Sequence, residues 1–249
     1  MPCLPVPRRL RFIAPLFLLC GPCLAAAAPL FDGRTLAGWE GSTALWRVED
    51  GAITGEIKAD AKVEKHEFLR WTGSESGDFD LTVEFRLSGR PGANSGIQFR
   101  AERLSDGSTR GYQADIDLGT KYLGMIYDEG TRGPLAERGA RVSIAPDGRR
   151  WVEKFGEPAD YAALFRPAPE WNTYRILASG SHMEVWVNGV RVSALDDHQG
   201  DAARYAGRFA LQLHRGAGPV KAQFRNFQLT SLGRTALPPA PKAVAAAKA

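Results

Sequence analysis

Hydrophobic and polar residues alternate with a period of two along most of this chain. Phe79, Leu81, Val83, Phe85 and Leu87 are interleaved with Asp80, Thr82, Glu84 and Arg86, which predicts a strand with one buried face. The same rhythm sets Ile97 and Phe99 against Gln98 and Arg100, and Tyr112, Ala114, Ile116 and Leu118 against Gln113, Asp115 and Asp117. It returns in Met183, Val185 and Val187, before an Asn188-Gly189 hairpin turn. Two further strands follow, Phe209, Leu211 and Leu213 with Gln212 and His214, then Gln223 to Leu229 with a bulge near Phe224. Weaker strand signals fall at residues 45–48, 52–57, 67–72, 122–127 and 174–178, separated by Asp-Gly and Pro-Gly turns. Only residues 151–165 read as helical, broken by Gly156 and Pro158. Many short strands without a βαβ repeat predict an all-β fold, an antiparallel jelly-roll sandwich with one short helical insertion.

The ends of the chain read differently. Arg8, Arg9 and Arg11 precede a short apolar run from Phe12 to Cys20, and small residues follow up to Ala28. That order is a secretory signal peptide, here residues 1–27, and the run is too short to span a bilayer. The expectation is a periplasmic or secreted protein without a transmembrane anchor. Residues 28–232 form one domain, and the Ala/Pro/Lys tail at 233–249 lacks core-forming residues.

Cys3, Cys20 and Cys23 all lie in the signal segment, so a mature chain has no disulfide, thiolate nucleophile or Cys-ligated zinc. Loss of three arginines takes the net charge from +4 to +1, which removes the electrostatic case for nucleic acid. His66-Glu67 lacks the second histidine of a helical zinc-protease motif, and no nucleophile elbow or phosphate loop occurs.

The outward positions of the central strands carry what chemistry there is. Gln98 and Arg100, Gln113, Asp115 and Asp117, and Gln212 and His214 are short amides, acids, a guanidinium and an imidazole. Such groups suit directional hydrogen bonds to hydroxyls and carbonyls, although a solvated face is the alternative. Trp71, Tyr112, Tyr122 and Tyr127 are available to pack on a sugar ring or to fill a core. Asp115 and Asp117 are roughly 6.5–7 Å apart on one strand face. That lies between retaining and inverting glycosidase pairs, yet Asp-x-Asp is also common at strand ends. Asp128-Glu129 adds acids at a strand end or simply opens a turn, as Asn94-Ser95-Gly96 does.

These residues also carry a resemblance. Leu30-Phe31-Asp32-Gly33, Gly38-Trp39, Trp46-Arg47-Val48-Glu49-Asp50-Gly51 and Asn94-Ser95-Gly96-Ile97-Gln98-Phe99-Arg100 resemble the 3-keto-disaccharide hydrolase domain family. Gly111-Tyr112-Gln113-Ala114-Asp115-Ile116, Tyr127-Asp128-Glu129, Leu211-Gln212-Leu213-His214 and Phe224-Arg225-Asn226 continue the match in order. The resemblance implies a concanavalin A-like sandwich acting on small carbohydrates already oxidised at carbon 3, by removal of the carbon 2 proton and elimination of the aglycone. A lectin-like binding module is the alternative, since fold alone does not decide function. It further implies His214 or Glu129 as base, Asp115 as its partner, and Arg100 as stabiliser of the enolate oxygen. Gln98, Gln113, Asp117, Gln212, Tyr127, Asp128 and Trp71 would bind substrate, and a divalent metal would fall on Asp115 and His214. Many relatives have Glu where this chain has Gln113.

Overall fold

The structure is a computed structural model that describes residues 29–119 and 121–233. The expected signal segment, and all but the first residue of the expected tail, lie outside the described residues. In chain order the strands begin with β1 Trp39–Glu40, β2 Trp46–Glu49, β3 Ala52–Ile57, β4 Lys62–Val63, β5 Glu67–Trp71 and β6 Asp78–Gly89. Then come β7 Asn94–Arg103, β8 Thr109–Asp117, β9 Ile126–Glu129, β10 Gly133–Ala136, β11 Ala140–Ile144 and β12 Arg150–Lys154. A short helix, α1 (Pro158–Ala162), precedes β13 Asn172–Ser179, β14 His182–Val187 and β15 Val190–Asp197. The last strands are β16 Arg208–Leu213, β17 Gly216–Ala217 and β18 Val220–Gly233.

The fold is the expected jelly-roll sandwich. One sheet has the order β1-β5-β16-β7-β8-β9-β10, and the other β12-β11-β15-β14-β13-β6-β18-β3-β2. All their pairings are antiparallel except β11 with β15. The core lies between them because alternation points Phe79, Leu81, Val83 and Phe85 of β6 toward Ile97, Phe99, Ala114 and Ile116 of β7 and β8. Burying these rows supplies most of the folding free energy, about 25 cal/mol per Å² of apolar surface. The Asn188-Gly189 turn is as expected, with both residues at positive φ (49° and 83°).

Four local expectations are corrected. Residues 150–154 form the edge strand β12 rather than helix, because Arg141, Val142 and Ser143 of β11 pair with Glu153, Val152 and Trp151. The strand expected over 122–127 begins only at Ile126. Asn94-Ser95-Gly96 opens β7 rather than turning. The irregularity in β18 falls between Arg225 and Gln228, where Asn226 has φ 54°, so Phe224 stays in the core.

The correction with most consequence is in β7. Phe99 pairs with Tyr112 and Glu102 with Arg110, so Arg100 and Ala101 together oppose Gly111. This bulge, with Arg100 at φ 48°, reverses the expected alternation and turns the Arg100 side chain off the polar face. Its guanidinium is fully buried. It donates to the carbonyls of Gly77 (3.1 Å), Gly180 (2.7 Å) and Arg204 (3.0 Å) and pairs with Asp78 at 3.1 Å. Four hydrogen bonds to the protein and full burial make Arg100 a tie between loops and not an enolate stabiliser. Replacing Arg100 with Met should leave the buried Asp78 carboxylate without its guanidinium and cost about 3–5 kcal/mol of stability. Denaturant unfolding measures this, and a loss under about 1 kcal/mol would contradict the account.

Candidate functional site

The outer face of the seven-stranded sheet is laid out by register in rows. Phe68, Gln212, Gly96 and Asp115 stand opposite one another across four strands. The next row is Arg70, Ala210, Gln98, Gln113 and Tyr127. His214 lies beside Asn94, to whose carbonyl its backbone N–H donates at 3.4 Å. The amide and carboxylate positions read from alternation therefore do share a face.

That face is strongly curved. His66 precedes β5 and Glu129 ends β9, four strand spacings or about 19 Å apart in a flat sheet. Yet His66 Nε2 is 3.9 Å from Glu129 Oε1. Arg70 of β5 likewise reaches Thr109 Oγ1 on β8 at 2.9 Å and the Gly107 carbonyl. Curling explains why Gln98, Gln113 and Gln212, on an outer face, are at most 2% exposed. Gly96 permits it locally. A Cβ there would stand 2.5 Å from the Gln113 side chain, which lies across the strand.

A continuous chain of polar groups crosses the hollow. Gln113 Nε2 donates to Asp115 Oδ1 (3.2 Å) and to Gln212 Oε1 (3.4 Å), and Gln212 Nε2 donates to Glu129 Oε2 (3.1 Å). Asn94 Nδ2 adds a second donor to Asp115 at 3.3 Å. Glu129 faces His66, whose ring meets that of His214 edge-on at 4.4 Å between centroids. From below, the Tyr174 hydroxyl donates to the Asp115 carbonyl and accepts from Gly124 N–H (2.9 Å), which fixes the backbone under the acid.

The electrostatics divide these groups. Burial raises the Asp115 carboxyl well above its ordinary 3.8, reinforced by the charges of Glu129 and Asp117. Burial also raises Glu129, helped by Asp128. Burial lowers both imidazoles, His66 to about 4, with His214 and Arg215 adding to that shift. Both histidines are therefore neutral at pH 7, and their partners set the tautomers. His66 Nδ1 accepts from Arg215 N–H at 3.2 Å, which leaves the proton on Nε2, toward Glu129. His214 Nδ1 donates to the Arg215 carbonyl at 2.8 Å, which leaves a lone pair on Nε2. Three buried amide atoms have no protein partner: Gln98 Nε2, Gln98 Oε1 and Gln113 Oε1. One donor and two acceptors left unpaired in a buried floor are costly unless something else binds them.

The remaining sequence candidates fall elsewhere. Asp128 is opposite Tyr112 and so points inward, where it is clamped by Arg132 (2.5 Å) and Arg204 (2.8 Å) and has no exposure. It cannot touch a ligand on the outer face. Asp117 is on the correct face, but its oxygens accept Gly119 N–H (2.8 Å) and Tyr122 N–H (3.1 Å), so it holds the following loop. That removes one acid from the ordinary glycosidase pair. Trp71 packs edge-on against Trp39 at 5.6 Å, away from the amide floor. Tyr112 is a core residue bonded to Asp197 at 2.5 Å. Tyr127 remains on the rim opposite Gln113. His66 precedes β5 and so carries no strand alternation of its own; its place one step before that strand is the signal the sequence holds. Among the described residues no three His, Cys, Asp or Glu side chains come together as a metal site. Asp115 and His214 are two ligands, too few to hold a divalent ion without a third from the described residues. A groove of about 530 Å³, bordered by His66, Phe68, Arg70, Thr109, Glu129 and Arg215, opens the site to solvent.

The chain's family places it in a carbohydrate-active class of protein. Residues 26–230 match the 3-keto-alpha-glucoside-1,2-lyase-like domain, and the chain belongs to that family. No curated protein matches the chain. Among solved structures it is similar to a candidate glycosyl hydrolase from Parabacteroides distasonis, at 21% identity and TM-score 0.54, covering 82% of this chain and 98% of that one. It is also similar to the carbohydrate-binding module CBM66 from Bacillus subtilis, at 15% identity and TM-score 0.50, covering 78% and 96%. A Bacillus licheniformis β-glucanase aligns at 12% identity and TM-score 0.50, covering 82% and 96%. These likenesses establish the fold. Among the described residues no helix is long and apolar enough to cross a membrane.

Two measurements probe this site. Replacing Gln98 with Leu removes two unpaired buried atoms, so stability should hold or rise by about 1 kcal/mol while ligand affinity falls. A marked loss of stability would show that Gln98 is satisfied in the free protein. An NMR titration of His66 should give a midpoint near 4. Between its ordinary 6.5 and about 4 the unfolded chain takes up a proton that the folded chain does not. Stability should therefore decline as pH falls through that window, and less so in His66→Gln. A folded-state midpoint near 6.5 would refute the buried, neutral assignment.

Proposed function

We propose that this protein cleaves glycosides oxidised to a ketone at carbon 3 of the sugar. One observation carries the reading: an imidazole with a free lone pair and two carboxyls whose pKa burial raises surround an amide floor with unpaired hydrogen-bonding atoms. A ketone at carbon 3 acidifies the carbon 2 hydrogen. His214 Nε2 takes that proton, and the electron pair enters the enediolate. The carboxylic acid of Asp115 donates a hydrogen bond to the carbon 3 oxygen as charge develops there. The bond from carbon 1 to the aglycone oxygen then breaks as the carbon 1–carbon 2 double bond forms. Glu129, its pKa raised by burial, supplies the proton to the leaving oxygen. Water can afterwards add across the double bond, its oxygen to carbon 1 and a hydrogen to carbon 2, for net hydrolysis. His66 presents its Nε2–H toward Glu129, and the replacement proton for that acid comes from solvent. Gln98 and Gln113 hold ring hydroxyls, as expected of them from the sequence, without Asp128.

Export to the periplasm or beyond belongs to the same proposal, resting on the arginine-apolar-small order of residues 1–27. So does the division into that signal, a domain over 28–232 and a tail over 233–249. The second reading, a binding module without turnover, is favoured by the extent of the amide floor.

The test is incubation of purified protein with a glucoside and with its 3-keto derivative, each with and without chelator. Cleavage of the keto form alone is expected, insensitive to chelator. Cleavage of both substrates would indicate an ordinary glycosidase, and binding without cleavage the module. His214→Ala should lower kcat by about 10²–10⁴-fold while the melting curve is retained. Activity unchanged in that variant would remove His214 as the base.

A further inference from the structure

A second hollow of about 220 Å³ adjoins the first on the same sheet face. The two share Arg70 and Thr109, whose mutual hydrogen bond forms a wall between them. The small residues Ala101 and Ala210 line the second hollow, and Ala210 stands directly opposite Gln98 of the amide floor. Trp71 contributes an apolar surface, while Arg70, Arg103 and Arg208 supply cations.

The cations are unequally neutralised. Arg103 pairs with Glu40 at 2.9 Å. Arg208 donates to the Gly73 carbonyl at 3.0 Å and stands 3.5 Å from Glu75. Arg70 is different. Its Nε and Nη2 are spent on uncharged oxygens of Thr109 and Gly107, and among the described residues no carboxylate lies within ion-pairing distance. Glu40 and Glu67 act on it only through space, and Arg103 opposes it. Burial and the neighbouring Arg103 both lower its pKa, as expected of a cation without an anion. A guanidinium held in fixed orientation with a free edge, beside two further arginines, matches a planar carboxylate.

We propose that this second hollow is an anion subsite that takes a carboxylate-bearing ring, with Arg70 as its central cation. Taken with the cleavage reading, on which this extension rests, it makes the non-oxidised part of the substrate a carboxylated sugar or a carboxylated aromatic aglycone. As a binding site it needs no turnover, so its test is independent of that reading.

The full chain is titrated calorimetrically with glucuronate against glucose, and with benzoate against benzyl alcohol. At least one acid should bind about tenfold more tightly than its neutral counterpart at low salt, a preference that shrinks toward 0.5 M salt, roughly the regime where screening acts within a few ångströms. Preference for glucuronate identifies a sugar acid, and preference for benzoate alone an aromatic one. Arg103→Gln and Arg208→Gln lie at the rim and should keep the fold while lowering the preference several-fold. Arg70→Gln should abolish it. No preference for either acid, or one that survives all three substitutions, overturns the proposal.

Discussion

The curl of the seven-stranded sheet is the constraint on which everything functional in this molecule depends. Laid flat, β5 and β9 would hold His66 and Glu129 too far apart for any contact, and the three glutamines would be ordinary solvated side chains. Curled, the same residues become an enclosed, low-dielectric hollow. The curl requires small residues where strands crowd on that face. Gly96 lets Gln113 lie flat across β7, and Gly111 leaves room for Ala101, whose Cα would be 2.7 Å from an added Cβ. Arg70 then ties the curled edge to the turn before β8.

Enclosure also fixes the chemistry. Carboxyls and imidazoles are driven in opposite directions by the same loss of water, each toward its neutral form. An amide chain running from Asp115 through Gln113 and Gln212 to Glu129 holds the acids apart and in register without adding charge. A glutamate at position 113 would place a third acid beside Asp115 and Glu129. The amide there keeps the proton count of the site low, which makes Gln113 a consistent choice for a site built on neutral groups.

Much of this was legible in the sequence because strand alternation is a rule about faces. Gln98, Gln113, Asp115, Gln212 and His214 share a face because each follows the period of its own strand, and the family resemblance set those strands in one sandwich. The failures have equally local causes. Arg100 obeys the alternation up to Phe99 and departs from it only because a bulge inserts one residue opposite Gly111. Asp128 lies between two outward residues, so the parity that exposes Tyr127 and Glu129 buries it. His66 belongs to the site through curvature, a property of the whole sheet that no single strand's pattern encodes. Residues 150–154 read as helix because an exposed edge strand paired on one side has no buried face to show alternation.

The buried arginines show how a fold separates structural from receptive charge. Arg100 and Arg132 are structural: each meets a carboxylate and makes four hydrogen bonds to oxygens supplied by the protein. Arg70 has the same chemistry and is half-buried, yet only neutral oxygens meet it. A half-buried cation without an anion is unfavourable for folding, so its retention at the wall between two hollows is better explained by a ligand than by stability. The same reasoning applies to the unpaired amide of Gln98 across the floor. Two unmet polar demands in one row of the sheet, with only Ala210 of β16 between them, one for a carboxylate and one for hydroxyls, describe a single ligand with both.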